Sequence, residues 1–367
     1  MKGKVTVLVS NDVTFDKRVD KTCKVWLQAG WEVEVIGVLK PHSAPISRGY
    51  QVSRLKVFAQ RGFLFYAILN LRLFIKLSFI TTDIIWSNDL DTLLPAYCWS
   101  KWRRKRLIYD SHEWFTEAEG LAGRPWVKGF WKLIESFLLR RIKQAITVNE
   151  AIAKAYKELY GIDMLVIRNV PDNRDLHFTK IKSDWPMPQQ QKWIILQGAY
   201  IDPDRGAEEL VAAMEFLEGV HLIIAGDGRA IPQLKNKANQ QKVTFIDKLP
   251  YIELMQLTAC CDLGLSLDKP IHKNYEFSLP NKIFDYALAG IPVLASPLPE
   301  VQKLIHQFQF GRCIDSWEPQ RLAEAISSTL YADEYALWKQ NAQAVIEQCN
   351  WQRESLPLRQ WIQDLKF

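Results

Sequence analysis

The chain has 367 residues, 48% of them hydrophobic and 24% charged, with a formal net charge of +6. That length exceeds what one hydrophobic core usually organises and points to two domains of ordinary globular composition. No stretch is long and apolar enough to span a bilayer, the start reads as a strand and not as an export signal, and six scattered cysteines show no metal spacing. A cytoplasmic protein with reduced thiols is therefore expected, and neither a disulfide scaffold nor a zinc site.

Short apolar runs alternate with helical segments from the start: KVTVLVS, then KRVDKTCKVWLQAG, then EVEVIGV, and later DIIWSND, RLIYDSHE and QAITVNE. Such alternation implies βαβ units and a parallel sheet. After the first strand, SNDVTFDKRV offers Asp12, Asp16 and Arg18 as site candidates, although either aspartate could simply cap the helix that follows. Asp89, at the end of DIIWSND, has the same two readings. His112 follows a strand, flanked by Asp110, Ser111 and Glu113. A lone histidine is usually structural, but ligands of open α/β sheets gather at strand carboxyl ends, which favours a functional role.

Three basic stretches lie in this half: RGFLFYAILNLRLFIKLSFI (61–80), KWRRKR (101–106) and PWVKGFWKLIESFLLRRIKQ (125–144). Aromatic and basic residues on helices suit peripheral membrane docking and equally suit core helices with a solvated basic face. No nucleic-acid motif accompanies them, so a nucleic-acid partner is not expected. Around 173–190 the periodicity gives way to prolines, glutamines and charges, as in a linker.

Alternation resumes with WIILQGA, GAEELVAAMEFL, VHLIIAGDG, VTFIDKL, DLGLSLD and IPVLAS. Neither half has G-x-G-x-x-G after its first strand, which argues against a dinucleotide-dependent dehydrogenase. In NYEFSLPNKIFDYALAG (274–290), Pro280 suits a helix start and Gly290 a helix end. Unpaired amides at that start, with Asn281 and Lys282, would form an anion site, and Asp285 one turn on could accept from hydroxyls. Phosphate beside polyol suggests a sugar nucleotide. The competing reading is a plain i,i+3 surface pair between Lys282 and Asp285.

The stretch 274–300 resembles the donor-site motif of retaining glycosyltransferases with the GT-B fold, family 4 with its group 1 domain. FDKRVDKTCKVWLQAGWEVEVIGV, IYDSHEWFTE, AITVNEAIAKAYKELYGIDMLVIRNVPD, GDGRAIPQLK and VTFIDKLPYIELMQLTACCDLGLSL fall in the family's order over nearly the whole chain. The resemblance implies an α/β protein of two Rossmann-like domains facing each other across a cleft. An acceptor domain would cover 1–172, a nucleotide-sugar domain 191–349, and a helix at 350–367 would cross back. It implies His112 near the transferred sugar, without a general-base role because the donor phosphate takes the proton. Asp16, Arg18 and Asp89 would face the acceptor. Gly198 and Glu300 would line the donor site, although Glu300 could equally serve its helix N-terminus.

Two departures from the family stand out. Its pair of glutamates becomes Asp285 alone, with Glu276 one position off the first. The arginine after the first glycine of its phosphate loop is missing at Ala199 and Tyr200, leaving Arg205, before Gly206, to pair with phosphate. The expected activity is metal-independent and cofactor-free transfer of a sugar from a UDP- or GDP-type donor to a hydroxyl of a glycan or lipid-linked acceptor. A nucleotide-sugar 2-epimerase and a catalytically silent scaffold are the two other readings.

Overall fold

The computed structural model describes residues 2–14, 16–41, 43–59, 62–172 and 179–365. Residues 173–178 of the expected linker lie outside the described residues. The contacts divide the chain into two units, Met1–Asn169 with Glu354–Phe367, and Val170–Arg353.

The N-terminal unit is built on β1 (Lys4–Leu8), β2 (Glu32–Leu39), β3 (Gln51–Lys56), β4 (Ile84–Asn88), β5 (Arg106–Ser111), β6 (Ala145–Thr147) and β7 (Leu165–Val166). Among the described residues these form one sheet, in the order β3-β2-β1-β4-β5-β6-β7, and every pairing is parallel. Parallel neighbours need crossovers, and the helical segments supply them. The helix Lys17–Gln28 starts where Asp16 accepts from the Val19 amide at 3.0 Å, and buries Val19, Cys23 and Trp26 at helical spacing. Trp26 meets Trp31 and Trp86 edge to face at 5.2 and 5.7 Å. Trp361, on the helix Leu356–Gln363, packs on Trp86 at 6.3 Å, so the end of the chain belongs to this unit. Arg168 clasps Glu354 through Nε and Nη2 at 3.0 and 2.8 Å, fastening the same return.

The C-terminal unit repeats the design with β8 (Lys192–Gly198), β9 (Val220–Gly226), β10 (Val243–Ile246), β11 (Leu263–Ser266), β12 (Val293–Ala295) and β13 (Gly311–Cys313). Among the described residues their order is β10-β9-β8-β11-β12-β13, again all parallel. Both sheets reverse direction beside their first strand, at β1/β4 and β8/β11. Such switch points leave a crevice at the strands' carboxyl ends. Among the described residues no helix is long and apolar enough to cross a membrane.

Candidate functional site

In the C-terminal unit the donor-motif helix runs Lys282–Ala289 and ends on Gly290, whose φ of +71° is the left-handed conformation glycine adopts without strain. It begins two residues after Pro280, with Asn281 at the N-cap position. Asn281 is exposed and makes no side-chain cap, and the amides of Ile283 and Phe284 turn back onto the Pro280 and Asn281 carbonyls at 3.2 and 3.0 Å. Ile283, Phe284, Tyr286 and Ala287 are buried, and the Tyr286 hydroxyl donates to the Leu265 carbonyl of β11 at 2.8 Å. A Cβ on Gly264 would stand 2.2 Å from the Tyr286 ring, so glycine lets the helix lie directly on the sheet.

Packing of that kind fixes Lys282 in place. Its Nζ lies 3.2 Å from Oδ2 of Asp268, while Arg205 Nη1 lies 2.7 Å from Oδ1. Asp268 follows β11 and is fully buried. Burial alone would raise its pKa, and the two cations hold it below the usual carboxylate range. Arg205 reaches it from the loop after β8 because Gly206, at φ +74°, lies so close to Leu267 that a Cβ would be 2.5 Å from its carbonyl. The Arg205 guanidinium also covers the Tyr275 ring at 4.3 Å, and its buried Nε has no hydrogen-bond partner. Two cations sharing one carboxylate leave a net positive charge at the β8/β11 switch point, beside an uncapped helix start. That arrangement suits a diphosphate.

Asp285 lies one turn further along. Tyr251 donates to its Oδ1 at 2.7 Å and Gln197 Nε2 to its Oδ2 at 3.1 Å. Gln197 in turn accepts from Thr258 at 2.7 Å. The surface pair between Lys282 and Asp285 is therefore not formed, and each has its own partners. Gly198 closes β8, and the carbonyl of Gly198 lies where a Cβ on Gly226 would sit, at 1.8 Å. Glu276 stands apart from this group: it pairs with Lys273 at 2.6 Å on the short helix Lys273–Glu276. Glu300 is buried in the first turn of the helix Pro299–Phe308 and pairs with Lys303 at 2.7 Å. Asp268, Tyr251 and Gln197 were not singled out from the sequence.

The N-terminal unit gathers a second cluster at strand carboxyl ends. His112 Nδ1 is 3.5 Å from Asp89 and its Nε2 is 3.6 Å from Asp110. Asp89 also accepts from the His112 amide at 2.9 Å, holding φ +57° to do so, a conformation that a non-glycine residue rarely adopts. Arg18 donates to Asp110 at 2.7 Å and to the Ile167 carbonyl at 2.7 Å. Burial would lower the pKa of His112, but Asp89 and Asp110 more than reverse that and push it up to about 9. Burial would raise Asp110, and Arg18 with His112 holds it far below the usual range. The two carboxylates thus favour the protonated imidazole, the form that donates from both ring nitrogens. Asp16 stays outside the cluster as the helix cap, bonded also by Asn11 at 2.7 Å. Asp12 accepts from Ser43 at 3.0 Å. Among the described residues no group of three or more His, Cys, Asp or Glu is arranged to hold a metal.

Comparison with known proteins identifies the family and the fold. Residues 17–172 match the family described as Glycosyltransferase Family 4, and residues 191–332 match Glycosyl transferases group 1. No curated protein matches the sequence. Among solved structures, sucrose-phosphate synthase from Thermosynechococcus elongatus superposes with a TM-score of 0.80 at 16% identity, covering 98% of each chain. A glycosyltransferase from Rickettsia africae gives 0.74 at 15% identity, covering 100% of each. Anabaena HepE, solved in complex with UDP and glucose, gives 0.73 at 16% identity, covering 99% of this chain and 100% of that one. At such identities the likeness carries the fold.

Proposed function

We propose, from the premise that this chain belongs to the family 4 and group 1 glycosyltransferases and is an enzyme of the GT-B fold, that it moves a sugar from a nucleoside diphosphate sugar to a hydroxyl of a glycan or lipid-linked acceptor, with retention of configuration, in the synthesis of a cell-surface polysaccharide. The observation that carries the reading is the pairing of Arg205 and Lys282 on Asp268, because it holds two cations where a leaving diphosphate would need them. HepE, a structural relative, was solved with UDP and with UDP-glucose, which supports a donor of the same class here.

In this reading the bond between the anomeric carbon and the diphosphate oxygen breaks, with its electron pair going to the diphosphate. The acceptor hydroxyl oxygen bonds to the anomeric carbon and passes its proton to the departing phosphate. Arg205 and Lys282 stabilise the charge that develops, so the reading calls for no metal and no cofactor. Asp285, held in place by Tyr251 and Gln197, accepts from sugar hydroxyls. His112, protonated, donates to oxygen. A thermal-shift panel of UDP-, GDP- and ADP-sugars tests the reading, since a ligand that binds only the folded chain raises its melting temperature. A shift with one of them, followed by acceptor-dependent release of nucleoside diphosphate, is the expected result. No shift with any of them refutes it, and epimerised donor formed without acceptor would replace it with the epimerase.

A further inference from the structure

Two helices of the N-terminal unit are apolar on both sides. The helix Gly62–Ser78 buries Phe65, Leu69, Leu73 and Leu77, yet leaves Leu64, Leu71 and Ile75 exposed on its outer side. The helix Pro125–Leu139 buries Trp131, Leu138 and Leu139, and its Glu135 is locked inward by Thr116, Tyr156 and Tyr160. Its outer row is Trp126, Phe130, Leu133 and Phe137, with Trp126 91% and Leu133 68% exposed. A solvated helix face normally carries polar residues, and contiguous apolar surface of this kind marks an interaction site. The rows join: Phe63 meets Phe130 at 5.9 Å, Trp102 stacks on Phe74 at 6.2 Å, and Tyr97 meets Phe137 at 6.2 Å.

Charge selects the partner. Segments 62–78, 99–106 and 124–144 carry two, five and six Lys or Arg, and a single acid, Glu135, which is fully buried. Lys128 and Lys132 are taken up by Glu117. Along the edge of the aromatic row lies a cavity of about 730 Å³ at the start of β5 and just before β6, the opposite end of the sheet from His112. Six cations line it, among them Lys101, Arg104, Arg141 and Lys143, with Trp361 on one wall and Asp364 as its acid. Lys101 and Arg141 lie over the rings of Tyr97 and Phe137 at 5.6 and 4.0 Å, so cavity and apolar row share an edge.

We propose that this surface docks on an anionic phospholipid bilayer, the outer rows of the two helices entering the interface and the cavity taking an anionic phosphate headgroup. Apolar rows alone would serve any greasy partner. Cations set among them outnumber the acids within reach, Asp364 on the cavity wall and Glu117 beside Lys128 and Lys132, so the surface keeps a positive excess that repels a second copy of the chain and attracts a negative leaflet. The surface goes beyond the transfer reading and stands on separate residues.

Cosedimentation tests it, using vesicles of phosphatidylcholine with about one quarter phosphatidylglycerol against phosphatidylcholine alone. The chain should pellet with the first and not the second, and release as salt rises from about 50 to about 500 mM. The exposed pairs Trp126→Ser with Leu133→Ser, and Lys101→Glu with Arg104→Glu, should each weaken binding about tenfold or more at an unchanged melting temperature. Failure to pellet overturns the proposal. So does a loss confined to the charge variants and competed by inorganic phosphate, which would mean a soluble-anion site. A dimer abolished by the apolar pair would mean a self-association face. No nucleotide sugar or acceptor is present, so failure leaves the transfer reading standing, while a chain that binds vesicles but transfers nothing refutes only the latter.

Discussion

Replacing Asp89 with asparagine should lower the pKa of His112 by at least about one unit, and the structure supplies the size of that fall. The carboxylate sits 3.5 Å from Nδ1. At that separation a unit charge pair is worth about 1 to 5 kcal/mol for effective dielectric constants between bulk water and a protein surface, or about 1 to 3 pKa units. Asp110 remains at 3.6 Å, but Arg18 already neutralises it, so it cannot make up the loss. An NMR titration of the His112 ring should give about 9 in the parent chain and about 8 or lower in Asp89→Asn. Stability follows the same sign. A raised folded pKa means that the bound proton stabilises fully below the ordinary value of 6.5, and that the contribution is lost as pH climbs from there through about 9. Asp89→Asn should therefore cost about 1 to 3 kcal/mol in urea unfolding near pH 6 and little near pH 10. A parent titration close to 6.5, or a cost independent of pH, would mean that Asp89 does not hold the proton on His112.

Asp268→Asn removes the one carboxylate between Arg205 and Lys282. With Asp268 buried and the two cations still partly solvated, it should lower stability by about 2 to 4 kcal/mol in denaturant titration, and no loss would mean that the clamp is not structural. Gly226→Ala should prevent folding or cut the melting temperature severely, since its Cβ would lie 1.8 Å from the Gly198 carbonyl; Gly219→Ala, with φ +68° and open space around it, should cost only about 1 kcal/mol. Asp285→Asn keeps one acceptor oxygen for Tyr251 or Gln197 but removes the charge, so transfer should fall about tenfold or more while nucleoside diphosphate affinity stays within about twofold. Steady-state kinetics beside calorimetry would detect the opposite pattern.

Much of this architecture was legible in the residues. Apolar runs of strand length alternating with helical periodicity are enough to specify two parallel sheets, and the family motif marked out the helix that carries Lys282 and Asp285. Partners were harder to see, because they depend on which strand ends the fold brings together. Asp268 looks like any acid after a strand until the switch point places it between a loop after β8 and a helix after β11. Tyr251 and Gln197 meet Asp285 from two further elements, 34 and 88 positions away in the chain. Asp16 illustrates the reverse: its local role as a cap was readable from position, and that is the contact it makes. The apolar helices at 62–78 and 125–139 were ambiguous for a physical reason, since a helix apolar all round does not declare which side faces the core.

If Arg205 and Lys282 hold the donor diphosphate, calorimetric titration of the matching nucleoside diphosphate into the parent chain, Arg205→Ala and Lys282→Ala will separate the three proteins. Each alanine should weaken binding by about 1.5 to 3 kcal/mol, the scale of a hydrogen bond to a charged group. Parent-like affinity in both variants would mean that neither cation touches the diphosphate.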